Sequence, residues 1–107
     1  MNTIMIAANQ SVSTTLHLVS EALVALLMPP AWTAATLTLQ VGVGGEWLDV
    51  YRADGSEYTI AAAASRAVLL NPDELRGATV VRLRSGTAAI PVLQTADRPI
   101  IAITRPI

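Results

Sequence analysis

The sequence predicts a single all-β domain, an antiparallel β-sandwich of the jelly-roll type. β-Branched residues and leucines occur in short runs, and turn-forming residues separate these runs at nearly regular spacing. No long segment has the 3.6-residue period of an amphipathic helix. The chain has 107 residues, enough for one hydrophobic core and too few for a second. We therefore expect one sandwich domain over residues 1–107.

Ten runs of strand-forming residues are predicted to be the strands. In order, they are residues 3–7, 12–19, 22–28, 36–41, 46–52, 57–61, 67–70, 78–84, 91–95 and 100–104. Glycine tolerates positive φ and proline fixes φ near about −65°, so both favour turns. These two residues and asparagine, which is also common in turns, mark the boundaries between the runs. The boundaries are Asn9-Gln10, Pro29-Pro30, Gly42 to Gly45, Asp54-Gly55, Asn71-Pro72, Ser85-Gly86 and Asp97 to Pro99.

Two early strands differ in their patterning. In 12–19, Leu16 and Leu18 alternate with polar residues, which predicts one core face and one polar face with His17 on the polar side. Residues 22–28 do not alternate. This run is consistent with a strand covered on both faces or with a short buried helix, and periodicity alone leaves both open.

The most specific local prediction is a hairpin at Asp54-Gly55. A two-residue type I′ loop at this point would place Arg52 opposite Glu57 and Tyr51 opposite Tyr58. The run 61–64 is helix-favouring in composition. Because strand-like residues flank it, we expect a strand end followed by a loop.

At most one short helical turn is predicted, near residues 71–76. Asn71 would cap it, Pro72 would take the first position, and Asp73 and Glu74 would lie in the first turn. In the next strand Val81 and Leu83 face the core by alternation. Arg82 and Arg84 would then point outward, toward solvent or a partner.

Composition excludes several classes of function. A net charge of −1 with seven scattered arginines argues against nucleic-acid binding, which needs a basic stripe. The absence of cysteine rules out disulfides, thiolate zinc sites and a cysteine nucleophile. The longest apolar run has seven residues, far below the about 20 that span a membrane. No lysine or arginine precedes Arg52, so we expect no secretory signal, and a location in the cytoplasm or in a particle assembled there.

Catalytic and metal chemistry is not expected either. The chain has one histidine, and Ser65 with His17 lacks any nucleophile-elbow context. The carboxylates of Asp49, Asp54 and Glu57 are not in a dense acidic loop of the kind that binds calcium. We therefore predict no enzyme activity, no catalytic residues, no metal and no cofactor.

Charged residues make up only 14% of the chain, against about 25% in an average soluble domain. Much of the surface is therefore polar but uncharged, or is covered by another chain. The candidate interface residues are Arg66, Arg82, Arg84, Ile101 and Ile103. Arginine tolerates interface burial, although a GC-rich coding sequence explains an arginine-only cation set equally well.

Exposed aromatic rings can stack on sugars. Trp32, Trp47 and Tyr51 are the candidates for such a glycan site. In a chain without phenylalanine, the same residues are also the largest available core fillers.

From about Leu26 to the end, the sequence resembles small structural proteins of tailed bacteriophages and prophages. The similarity runs through MPPAWTAATLTLQV (28–41), GGEWLDVY (44–51), ADGSE (53–57), AASR (63–66), Asn71-Pro72, RLRSGT (82–87) and PVLQ (91–94). Residues 41–51 and 79–84 are also similar to strands of discoidin-like jelly rolls. Gly42 to Gly45 replace the serine and aspartate of that pattern, which weakens any transfer of calcium or sugar ligands.

The phage resemblance implies a non-enzymatic virion protein that decorates or cements the capsid or forms the base of a head spike. Its implied partners are the major capsid protein and further copies of itself, for instance in a trimer. Its implied location is the capsid surface of a virion assembled in the bacterial cytoplasm. The alternative is a carbohydrate-binding jelly-roll module on the virion that contacts host-surface glycans.

Overall fold

The computed structural model describes residues 2–107, which form two antiparallel sheets packed face to face. The strands are β1 (Asn2–Ile6), β2 (Leu16–His17), β3 (Glu21–Leu27), β4 (Leu37–Val43), β5 (Glu46–Asp49), β6 (Thr59–Ile60), β7 (Ala67–Leu69), β8 (Val80–Ser85) and β9 (Arg98–Pro106). A short 3₁₀ helix, Pro72–Leu75, lies between β7 and β8. The all-β prediction is confirmed.

The strand order is that of a jelly roll. Sheet A has the order β1-β9-β3-β7, and sheet B has the order β2-β8-β4-β5. Strand β6 pairs with the start of β4 at Leu37 and Thr38, so β5 and β6 follow one another along the same edge of β4. With β6 set aside, each sheet has four strands, as in a two-sheet jelly roll.

The core lies between the sheets and is built from alternate residues of each strand. Ile4, Leu26 and Ile100 come from sheet A, and Leu39 and Leu83 come from sheet B, all at most 2% exposed. The predicted inward alternation of Val81 and Leu83 is confirmed, as is the exposed position of His17.

Residues 21–27 form a strand, so the helical alternative for this run is wrong. Strand β3 lies between β9 and β7, and its register with β9 shifts between Leu23 and Ala25. Such a bulge adds a residue and interrupts the two-residue period. Leu23 and Leu26 consequently both face the core although they are three residues apart, which explains the missing alternation.

The hairpin forms where it was predicted, but its register differs by one residue. Tyr51 pairs with Glu57, and the Arg52 N–H donates to the Ser56 carbonyl at 2.7 Å. The loop thus has three residues, ending at Gly55 with φ +93°. The predicted pairs Arg52 with Glu57 and Tyr51 with Tyr58 are wrong, because a one-residue slip moves every following side chain to the other face. Tyr58 is buried and Tyr51 is exposed.

Two predicted strands are mostly irregular. Within 91–95 the backbone pairing is an isolated bridge between Gly86 and Pro91, and within 12–19 the strand is limited to Leu16–His17. Both segments are held by separate backbone hydrogen bonds, such as Ser13 N–H to the Leu83 carbonyl and Val92 N–H to the Ser85 carbonyl. The side chains of Ser13 and Gln94 add bonds to distant backbone and side-chain groups. Sequence patterning does not detect such long-range bonds.

The predicted helical turn is confirmed. Asn71 is the N-cap, and its side-chain oxygen accepts a hydrogen bond from the Asp73 N–H at 3.0 Å. Leu75 anchors the turn in the core at 3% exposure. This turn closes one end of the sandwich beside β3.

Candidate functional site

The side of sheet B that faces away from the core is polar. Register places Thr38 opposite Arg84, and Gln40 between Arg82 and Asp49. Alternation turns all five side chains away from the core, and we call this set the polar face.

Arg84 is the centre of the polar face. Its Nη1 lies 2.6 Å from Asp49 Oδ1, and its Nη2 lies 2.8 Å from Glu57 Oε2. Its Nε donates to Thr38 Oγ1 at 3.0 Å, and the side chain is only 6% exposed. The prediction that Arg84 points to solvent or a partner is wrong, because Asp49 and Glu57 lie against it and use its charge within the chain.

Arg82 stacks on an aromatic ring. Its guanidinium carbon lies 4.3 Å from the centroid of Trp47, and its Nε donates to Gln40 Oε1 at 2.7 Å. A Cβ at Gly42 would lie 3.2 Å from Val80 Cγ1 and 3.5 Å from Trp47 Cζ3. The glycine therefore leaves the indole room on the sheet surface. Arg82 is half-buried and engaged within the chain rather than pointing freely outward.

Burial and hydrogen bonds shift two pKa values on the polar face. Hydrogen bonds from Arg84 and then Gln40 lower the pKa of the Asp49 carboxyl. Burial, followed by repulsion from Arg84, lowers the pKa of Arg82 from its usual high value. Both groups remain charged near neutral pH, and the face acts as a fixed ionic network.

The three candidate glycan-stacking rings lie on three separate segments. Trp32 is half-buried against the core, and its Nε1 donates to the Ala35 carbonyl at 3.1 Å. Trp47 lies against Arg82 on the polar face. Tyr51 is 55% exposed beside a cavity of about 310 Å³, whose lining includes Leu39 and Glu74.

The opposite surface of the sandwich, on sheet A, is apolar. Register and alternation place mostly uncharged residues on the side of sheet A that faces away from the core, and Arg105, which pairs with Ala22 near the end of β9, is the charged residue among them. The nine residues beyond that pair, called here the apolar face, are Thr3, Met5, Ala25, Leu27, Ala67, Leu69, Pro99, Ile101 and Ile103. Leu69 is 82% exposed, and Met5, Leu27, Ile101 and Ile103 are partly exposed.

On the outer side of β9 the next residue after Ile103 is Arg105, which is exposed and pairs with Ala22. Arg66 is exposed immediately before β7. The structure therefore brings Ile101 and Ile103 together on one face, with Arg66 at its border. It separates them from Arg82 and Arg84, which belong to the other sheet.

One polar cluster was missed by sequence reasoning. At the sandwich end formed by the 28–36 and 86–97 loops, Arg98 and Gln94 are buried to 9% and 0% exposure. Arg98 Nε donates to Gln94 Oε1 at 3.1 Å, and Gln94 Nε2 donates to Ser85 Oγ at 2.7 Å. The Thr33 N–H donates to Gln94 Oε1, and these two residues are 61 positions apart in the sequence. No local pattern could therefore have revealed the cluster.

Within residues 2–107, no group of three or more histidine, aspartate or glutamate side chains is arranged to hold a metal ion. No helix in this range is long and apolar enough to cross a membrane. No protein-family model, curated protein or solved structure matches the chain.

Proposed function

We propose that this chain is a non-enzymatic structural protein of a phage virion. It binds the major capsid protein at the capsid surface, as a decoration or cement protein or as the base of a head spike. The virion assignment derives from the sequence resemblance, and the docking mode derives from the apolar face.

The single observation that supports docking is the group of uncharged residues in the apolar face, which ends at Arg105 on the same side of sheet A. Four strands contribute Met5, Leu27, Leu69, Ile101 and Ile103 to one side of the sheet. Burying such a surface costs no desolvation of charge and releases water from apolar side chains. The polar face lacks this property, because it carries the charged groups of Arg82, Arg84 and Asp49.

Charge at the border indicates the chemistry of the partner. Arg66 and Arg105 are exposed near the apolar face, whereas Asp49 and Glu57 lie on the opposite sheet. The surface that fits is a flat apolar area of a protein shell, with carboxylates around it that can pair with these arginines.

The size of the face favours a repetitive partner. Four strands about 4.8 Å apart and five residues at about 3.3 Å per residue give roughly 300 Å² per copy. A stable isolated interface buries about 800 Å² per partner, so one copy on one subunit would bind weakly. Many copies that also associate with each other on a regular shell would bind strongly through multivalency.

The first experiment is quantitative mass spectrometry of particles purified from the organism that encodes this chain. The proposal expects tens to hundreds of copies per particle. Intact virions without the chain would overturn the virion assignment.

The second experiment tests the face itself. I101E and I103E place a carboxylate within the apolar face at partly exposed positions, and should abolish incorporation into particles. I90E is the matched control, because Ile90 is 71% exposed on a loop outside the face. Equal incorporation of I103E and I90E, with both proteins folded by circular dichroism, would contradict docking through this face.

A carbohydrate-binding module on the virion is the second candidate. The observation that favours it is the exposed Tyr51 ring beside the cavity lined by Leu39, Val41 and Glu74. A sugar could stack on the ring while its hydroxyls bond to the carboxylate. Calorimetric titration with a panel of bacterial surface glycans tests it, and Y51A should lose the signal. Absence of binding across the panel would count against this function and leaves the docking proposal unaffected.

A further inference from the structure

The two buried arginines differ in their partners. Arg84 is neutralised by two carboxylates, whereas no carboxylate of residues 2–107 lies within salt-bridge distance of Arg98. Arg98 is only 9% exposed. A guanidinium keeps its proton at any physiological pH, so its positive charge stays largely buried without a counter-charge.

All protein groups that bond to the Arg98 guanidinium are neutral. Nε donates to Gln94 Oε1 at 3.1 Å, and Nη2 donates to Thr33 Oγ1 at 3.3 Å and to Thr95 Oγ1 at 3.2 Å. The neighbouring carboxylate of Asp97 accepts instead from the Ala8 N–H at 2.9 Å. The cluster therefore holds the guanidinium in place without cancelling its charge.

One edge of the guanidinium is accessible. Nη1 donates to no group within residues 2–107, while every fully buried side-chain nitrogen and oxygen in that range has a partner. It follows that Nη1 retains contact with solvent. Two N–H groups are available there to an incoming acceptor.

The adjacent hydroxyls add a further donor. Thr33 Oγ1 and Thr95 Oγ1 lie 3.2 Å apart, and both accept from Nη2. One hydroxyl donates to the other, which leaves the second hydroxyl hydrogen for a ligand. The Thr33 backbone is fixed because its N–H donates to Gln94 Oε1 at 2.9 Å and its carbonyl accepts from Gln94 Nε2 at 3.1 Å.

We propose that Arg98, Thr33 and Thr95 form an oxyanion-binding site that takes a phosphate or carboxylate group. Only an acceptor with negative charge satisfies both the free N–H groups and the uncompensated charge. The oxyanion belongs either to a free small molecule or to an acidic side chain of a docked protein. The site lies on different residues from the apolar face and stands independently of the capsid proposal.

The test measures binding of inorganic phosphate and of an acetylated tetraglutamate peptide, at constant ionic strength in chloride. The readouts are the shift of the Arg98 Nε–H resonance by NMR and the rise in Tm with ligand concentration. R98Q should lose both responses. T95V should weaken the apparent Kd about tenfold, because it removes a hydroxyl next to the ligand. R76Q is the matched control, since Arg76 is 63% exposed on the 3₁₀ helix, and it should respond like the unaltered chain.

A larger response to phosphate supports a free oxyanion, and a larger response to the peptide supports a protein-borne carboxylate. An unshifted Arg98 resonance with both probes would overturn the proposal, as would equal Kd values for T95V and the unaltered chain. If R98Q does not fold, T95V and the NMR titration of the unaltered chain decide the matter.

Discussion

The guanidinium carbon of Arg82 lies 4.3 Å from the centre of the Trp47 ring, on the outer side of sheet B. The two residues belong to different strands, β8 and β5, and neither pairs directly with the other. Both pair with β4, where Gln40 fixes the arginine and Gly42 leaves space for the indole. The stack therefore connects the edge strand β5 with β8, which lies on the other side of β4.

Because a cation over an indole is attracted by the ring, Arg82 and Trp47 should be energetically coupled. A double-mutant cycle with R82M and W47L should give a coupling free energy of about 0.5 to 1 kcal/mol by urea unfolding. Additive effects of the two substitutions would show that the stack contributes nothing.

The ionic cluster around Arg84 should be critical for stability. R84M leaves Asp49 and Glu57 without their shared cation, and we expect a loss of about 3 kcal/mol in unfolding free energy. Adding D49N and E57Q should recover a large part of this loss, because no unpaired charge then remains. R76M, at an exposed ion pair, should change stability by less than about 0.5 kcal/mol. A similar small effect for R84M would refute the role of the cluster.

Stability should depend on pH through Asp49. Hydrogen bonds from Arg84 and Gln40 lower the pKa of this carboxyl in the folded chain, below the about 3.9 of an unfolded aspartate. Its contribution is therefore complete above about pH 4 and is lost as pH falls through the folded value. Unfolding free energy measured from pH 7 to pH 2 should fall less steeply at the acidic end in D49N. Identical slopes for the two proteins would contradict this assignment.

Gly86 should not accept any side chain. It has φ +92°, and a Cβ would lie 2.4 Å from the Ile90 carbonyl oxygen and 2.7 Å from the Val92 nitrogen. G86A should lower unfolding free energy by more than about 3 kcal/mol, or prevent folding, because backbone atoms must move. Gly77 has open space around it, and G77A should be within about 1 kcal/mol of the unaltered chain. Thermal unfolding of both variants provides the comparison.

Sequence reasoning predicted the parts of the fold that depend on local pattern. Runs of β-branched residues and leucine identified β4 and β8, alternation identified the core face of β8, and capping chemistry identified the turn at Asn71. It failed where a single inserted residue changes the register, as at the β3 bulge and in the three-residue loop ending at Gly55. At the loop the local composition is compatible with two registers, and packing of Tyr58 in the core selects one.

The candidate surfaces were predicted less completely, for a physical reason. The C-terminal strand supplies Ile101 and Ile103 as candidate interface residues, and the structure places both on the outer side of sheet A. Alternation along one strand predicts that Arg84 points outward, toward solvent or a partner, and does not include the hairpin that folds over it. The environment of Arg98 depends on Thr33 and Gln94 from separate loops, and only the tertiary structure brings these together.

The position of β9 between β1 and β3 has a kinetic consequence. Asn2 pairs with Ala102, and Leu26 pairs with the same residue from the other side. Forming contacts between such distant parts of a sequence requires closing a long loop, which costs conformational entropy. Proteins with many such contacts fold slowly, with folding times on the order of milliseconds to seconds. Three of the nine apolar-face residues belong to β9, so the surface offered to a partner is assembled only when the two ends of the chain have met.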